Sequence, residues 1–250
     1  MKRSEINAVI QEGLNFIEGI DDYKPKVNLP PWAYYTPKKW AEILSNPEEK
    51  QRHAEIIIKN LGWDVTDFGS GNFENLGLLL FTLENGNINS DRQYAEKIMI
   101  VGEGQVTPWH YHWNKTESII NRAGDRLVVE LYMKSFKERT QVGNTEYKDG
   151  IFDEEASFDI MVDGGLVQRV KAGGKVVLNP GQRILLTPNL YHKFYGDKGT
   201  VLVGEVSMVN DDAKDNRFFK QLPRYTSIVE DEKPFKLLCN EYEKVIELLK

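Results

Sequence analysis

Apolar positions recur at helical spacing over the first sixty or so residues and alternate with polar ones beyond Trp63. Ile6, Val9, Ile10, Gly13 and Ile17 fall on one face of a helix expected over residues 4–19. Residues 21–35, with Pro25, Pro30 and Pro31, are expected to be irregular. Thr36-Pro37 offers a hydroxyl cap followed by proline at the first helical position, which starts a helix over residues 38–44. Asn46-Pro47 repeats the device, with Glu48 and Glu49 suited to the helix dipole. That second helix is expected to run to Asn60 and stop at Gly62.

From Trp63 onward, short β-branched and aromatic runs are punctuated by turn residues. The expected strands are 63–68, 76–83, 96–101, 107–113, 117–121, 126–134, 157–162, 166–171, 175–178, 183–186, 192–195 and 200–207. Asp163-Gly164 between two alternating runs is a hairpin signal. So many short strands at this spacing imply a sandwich or barrel. Residues 136–155 are polar and weakly patterned, and read as a long loop at the mouth. Over residues 234–250 a helix is expected, with Phe235, Leu238, Tyr242, Val245, Ile246 and Leu249 as an apolar stripe for the core or for a second copy in a homodimer. The division is one structural domain: a helical extension (1–62), a β-barrel (63–230) and a C-terminal helix (231–250).

Composition narrows the function classes. A chain of 250 residues is ample to bury a core. The net charge of −6 and the lack of a basic stripe argue against a nucleic-acid partner. The single cysteine, Cys239, excludes an internal disulfide framework and a zinc site built from several cysteines. Glu5, Gln11, Glu12 and Glu18 interrupt the N-terminal stretch, so neither a signal peptide nor a membrane anchor is expected there. No apolar run reaches bilayer length, and a reducing cytoplasm is the expected location.

The candidate chemistry lies between Gly104 and Gly124. His110 and His112 share a strand face, because side chains at i and i+2 point the same way, while Trp109, Tyr111 and Trp113 face away. Asn114-Lys115 makes a plausible tight turn that returns Glu117 beside the two imidazoles. Two of the chain's four histidines thus meet a carboxylate, a divalent-metal site short of one ligand. His53 reads as a solvated helix residue. His192 opens a later strand, and spacing alone does not place it beside His110.

This pattern resembles the cupin superfamily. Its first motif is matched by Gly104, His110, His112, Glu117 and Gly124. Its second is matched by Gly181, Pro188 and His192, with Pro188 one residue closer to the histidine than usual and without the glycine that normally follows it. The resemblance implies a mainly β fold, a jelly-roll-like double-stranded β-helix barrel, with His192 as fourth ligand. Within cupins the helical extension, the HWNKTE hairpin and the GEVSMVNDDAKDNRFF segment are similar to the D-lyxose isomerase family. That family implies Mn2+-dependent interconversion of D-lyxose and D-xylulose, with D-mannose and D-fructose as further substrates.

Such chemistry needs a base. Val201, Val203, Glu205 and Ser207 share one face, and an inward carboxylate is costly unless paired or functional, so Glu205 is the first candidate. The alternative leaves it facing solvent. Lys115, in the turn between the ligand strands, is a second catalytic or substrate-binding candidate, and Asp215 and Arg217 are candidates for binding sugar hydroxyls. Rival readings are an oxygen-using cupin on the same ligands, a cupin-type phosphosugar isomerase, which would need a basic phosphate pocket, and a sugar-binding cupin without catalysis.

Overall fold

The alternating runs resolve into strands β1 (Gly62–Thr66), β2 (Leu78–Asn85), β3 (Tyr94–Val101), β4 (Thr107–His112), β5 (Glu117–Lys134), β6 (Phe152–Asp153), β7 (Ser157–Val162), β8 (Leu166–Lys171), β9 (Gly174–Leu178), β10 (Arg183–Leu186), β11 (Leu190–Met208) and β12 (Asn216–Phe218). The helices are α1 (Arg3–Ile17), α2 (Pro37–Ser45), α3 (Pro47–Arg52), α4 (Ala54–Ile58) and α5 (Val245–Leu248). The structure, a computed structural model, describes residues 1–19, 27–135, 151–209 and 215–249. Most of the expected loop over 136–155, and part of the proline-rich stretch 21–35, lie outside the described residues.

β5 and β11 pair antiparallel along their whole length, from Glu117 opposite Ser207 to Met133 opposite Leu190. The expected strands 117–121 and 126–134 are therefore one strand, as are 192–195 and 200–207. The glycine-rich segments between them are not turns. They sit where the register shifts, between Asp197 and Val201 and again between Leu202 and Val203. A ribbon in which both strands are irregular at one level bends without breaking. Gly124 marks the bend. Its φ is +90°, and a Cβ there would lie 2.3 Å from the Thr200 carbonyl oxygen.

Each half of the ribbon collects its own neighbours. The half at residues 201–207 of β11 pairs with β3, which leads to β2 and β1. The matching half of β5 pairs with β10, which leads to β7 and β8. The other half is flanked by β4 and β12 on one side and by β9 and β6 on the other. Both halves face one apolar core, where Met99, Ile119 and Val203 meet Leu131, Val176 and Phe194. The expected mainly β, antiparallel, jelly-roll-like architecture is present. Its hydrogen-bonded path from β1 to β8 does not close into a ring, so the barrel is an open one.

The helical extension covers the outside of β1 and β2. Ile6, Ile10 and Ile17 of α1 pack on Val65, Leu79 and Phe81. Thr36 caps α2 by accepting from the Lys39 amide at 3.2 Å, and Asn46 caps α3 through the Glu48 and Glu49 amides. The helix expected to continue to Asn60 is interrupted at His53. Its ring Nδ1 lies 2.8 Å from the Glu49 carbonyl, and its backbone leaves helical values at φ −98°, ψ 6°. The C-terminal helix is shorter than expected and starts at Val245. Before it, Leu238 bridges Trp63 in parallel and the Cys239 amide donates to the Trp63 carbonyl at 2.7 Å, which closes the outer edge of β1. Donors needed for a helix are spent there, and Leu238, Tyr242 and Val245 of the apolar stripe are buried within the chain. Arg3, wholly buried, ties both ends together through Glu230 at 2.7 Å and Glu241 at 2.5 Å. No helix among the described residues is long and apolar enough to cross a membrane.

Gly124→Ala puts an L residue at positive φ and its methyl against a backbone oxygen. The expected loss is about 2–4 kcal/mol of folding stability, read from the urea midpoint. An unchanged midpoint would show that the bend does not require glycine.

Candidate metal centre

A bulge in β4 builds the site. His110 lies opposite His192, and the next pair is Thr107 opposite Phe194. Three steps on β4 thus match two on β11, so one extra residue is absorbed over Pro108-Trp109. Beyond the bulge His110 and His112 alternate inward, as expected. Trp109 faces the other way, its ring 5.4 Å from Tyr132 and 5.1 Å from Phe152, and Tyr111 is fully buried beside Tyr191. His192 points in from β11, and Glu117 opens β5 after the turn at residues 113–116. One candidate ligand atom from each of His110, His112, Glu117 and His192 lies within 4.8 Å of all the others, and all four residues are buried.

The ring orientations suit a cation. His110 Nδ1 is 2.8 Å from the Pro108 carbonyl oxygen and His192 Nδ1 is 3.0 Å from that of Leu190. A carbonyl only accepts, so each Nδ1 carries the proton and Nε2 presents its lone pair. Nε2 of His112 and of His192 are buried without a hydrogen bond, although they stand 3.4 and 3.1 Å from Glu117 oxygens. Buried lone pairs turned towards a carboxylate are unfavourable unless a cation joins them. Burial, helped by His192 and His112, holds His110 far below the ordinary histidine pKa and keeps it neutral. Burial also opposes a charge on His112, but Glu117 and Asp215 together outweigh it and draw its pKa up. A metal ion would take the place of that proton. The donor set of three imidazoles and one carboxylate fits a divalent transition ion.

Three further charges, on Lys115, Glu205 and Lys97, are compensated in the same cavity. Lys115 Nζ lies 2.8 Å from Glu117 Oε2 and 2.9 Å from Glu205 Oε1. Lys97 Nζ stands 3.4 Å from the same Glu205 oxygen, and Ser207 Oγ donates to it at 3.0 Å. Burial alone would neutralise Lys115, but the two carboxylates hold its pKa above the usual lysine value. Burial alone would raise Glu205, but Lys115 and Lys97 bring it below the usual carboxylate range. Glu117 is held lower still, burial being outweighed by Lys115 and His112. The arrangement can hold a divalent cation and keep a second, ionised carboxylate beside it.

Six of the expected residues, His110, His112, Glu117, His192, Glu205 and Lys115, are thus brought together. Asp215 and Arg217 are placed differently. Asp215 accepts from the backbone amides of Asn114 at 2.8 Å and Lys115 at 3.1 Å, and its Oδ2 is 3.5 Å from His112 Nδ1. It fixes the turn and orients an imidazole from behind. On β12, Asn216 and Phe218 line the cavity and Arg217 between them does not. Lys97, Thr107 and Arg224 also line it and were not anticipated. Lys97 shares a face with Ala95 and Met99, but Ile98 and Ile100 make the opposite face apolar too, so alternation in β3 does not say which side is inside. Thr107 has the parity of Trp109, and only the bulge turns it inward.

A family model described as D-lyxose isomerase matches residues 1–242. The chain is 42% identical to the D-lyxose/D-mannose isomerase of Serratia proteamaculans, over 98% of this chain and 100% of that one. It is also 42% identical to the D-lyxose/D-mannose isomerase of Escherichia coli O157:H7, over 98% and 99% of the two chains. The solved L-ribose isomerase of Cellulomonas parahominis aligns with a TM-score of 0.43 and 16% identity, over 79% of this chain and 99% of that one.

Elemental analysis after loading with Mn2+ should find about one ion per chain, as a four-ligand site requires. His112→Ala should lose most of it. Asp215→Asn should bind roughly ten- to a hundredfold more weakly, since it removes only the partner that orients a ligand. Equal retention by His112→Ala would overturn the ligand assignment.

Proposed function

Because the chain belongs to the D-lyxose isomerase family, we propose that it interconverts D-lyxose and D-xylulose, and secondarily D-mannose and D-fructose, with Mn2+ held by His110, His112, Glu117 and His192. The observation that carries this reading is the placing of Glu205 beside the ligand cluster. One ammonium, that of Lys115, touches both the ligand Glu117 and the non-ligand Glu205. A carboxylate kept ionised next to a metal site, but not spent on it, is what an aldose–ketose isomerisation asks for.

The reaction moves hydrogen between C1 and C2 and a proton between their oxygens. A bound divalent cation polarises the sugar carbonyl and stabilises the negative charge that develops when the carbon-bound proton leaves. Glu205 takes that proton and returns it to the neighbouring carbon. Lys97 and Ser207 hold its Oε1, which orients the carboxylate and leaves Oε2 to act. Lys115, whose pKa the two carboxylates draw up, serves as a hydrogen-bond donor to the reacting oxygens. Asp215 acts at one remove, through His112 and the turn that carries Lys115. The cavity's apolar wall, which includes Phe68, Leu80 and Met99, keeps bulk water from competing for the developing charge.

Metal-stripped protein reloaded with Mn2+ and offered D-lyxose, D-mannose and D-xylose should form ketose fastest from D-lyxose. No ketose from any of the three, with metal bound, would overturn the reading. Glu205→Gln should keep its metal and lose about two to four orders of magnitude in kcat. A near-normal rate would leave Glu205 a structural residue.

A further inference from the structure

We propose that Thr107 determines substrate specificity by binding one sugar hydroxyl beyond the reacting C1 and C2; this rests on the isomerase reading above. Thr107 is 4% exposed and lines the same cavity as His110 and Glu205. Its Oγ1 is buried and makes no hydrogen bond among the described residues. A packed core has no use for such a group. Valine has the same shape without the cost of an unpaired hydroxyl, and buried polar atoms are almost always satisfied. The β4 bulge is what turns this side chain inward, opposite Phe194 and on the same strand as the ligands His110 and His112.

The chemistry of its surroundings says what the hydroxyl awaits. With the C1 and C2 oxygens engaged near the ligand cluster and Lys115, the C3, C4 and C5 oxygens of an aldopentose extend into the rest of the cavity. Besides the ligands, Lys115 and Glu205, the polar lining of the cavity comes from Thr107, Lys97, Asn216 and Arg224. The Arg224 guanidinium is oriented from behind by the buried Asp64, 2.5 Å from Nη1. A neutral hydroxyl that both donates and accepts matches another hydroxyl, which is uncharged and does the same. The ligand class is therefore a polyhydroxy chain, and Thr107 reads one position of it.

The test compares wild type, Thr107→Val and Thr107→Ser on D-lyxose and on its 3-deoxy, 4-deoxy and 5-deoxy derivatives, with metal content and thermal midpoint measured alongside. Thr107→Val should lower kcat/KM on D-lyxose by about ten- to a hundredfold with its metal retained, while Thr107→Ser stays within about threefold. One deoxy sugar should be penalised in wild type and not further penalised by Thr107→Val, which identifies the hydroxyl contacted. Thr107→Ala supplies the same comparison if the valine variant does not fold. The proposal is overturned if the valine or alanine variant matches wild type on D-lyxose, if serine loses as much as valine, or if the variant's deficit is the same on every deoxy sugar. A wild type that forms no ketose would bring down the isomerase reading and this inference together. An active wild type with an insensitive Thr107→Val would bring down this inference alone.

Discussion

The bend in the β5–β11 ribbon is the constraint on which the rest depends. His192 pairs with Leu131, fourteen residues along β5 from Glu117. At about 3.3 Å per residue a straight strand would hold those two positions about 45 Å apart. The Glu117 carboxylate nevertheless lies 3.1 Å from the His192 ring. The two ends can meet only because the ribbon folds back on itself, and the space between its halves is filled by the core that the alternating apolar residues supply. Glycine is required where the bend is tightest. A Cβ at Gly196 would stand 2.5 Å from the Gly199 oxygen, and one at Gly124 2.3 Å from that of Thr200. Site and core are thus products of one deformation.

The bent ribbon then has to tolerate charge in its interior. Two carboxylates and two ammonium groups, all at least nine-tenths buried, would be prohibitive singly. They persist because each carboxylate touches an ammonium and Lys115 touches both carboxylates. Removing any one leaves an uncompensated buried charge, so the network ties the identity of the site to the stability of the fold.

How much of this could be read from the residues follows from what local pattern can carry. The His110–His112 pair and Glu117 were legible, because alternation and one short turn are local signals. Glu205 was a candidate because Val201 and Val203 share its face, but a solvent-facing alternative stood beside it, since Leu202, Val206 and Met208 make the other face apolar too; its burial decides between them. His192 was reached through a family motif, since no spacing rule spans the bend. The ribbon itself was read as four separate strands, because glycine, asparagine and aspartate mark a bulge as readily as a turn. Thr107 was lost for a related reason: strand parity holds only until a bulge resets it. Residues 234–241 were read as helix because their apolar spacing is helical. The Phe235 amide instead donates to Asn7 Oδ1, the Leu238 amide to the Glu241 side chain and the Cys239 amide to the Trp63 carbonyl at the open edge of β1.

Strand pairing also fixes how far the candidate base stands from the metal ligands. Glu205 is directly opposite Lys97 on β3 and directly opposite Ile119 on β5. Ser207 is directly opposite Glu117. On the inward face, then, Glu205 has its cation as the straight cross-strand neighbour and the ligand carboxylate as the diagonal one, about 7–8 Å away in an antiparallel sheet before side chains are considered. One lysine, carried on the turn before β5, reaches both carboxylates across that diagonal. A change of register by one residue in either pairing would turn Glu205 to solvent. The bulges that shape the ribbon therefore do more than bend it. They set the phase of β11 on either side of the bend, and so place His192 and Glu205 on the inner face together.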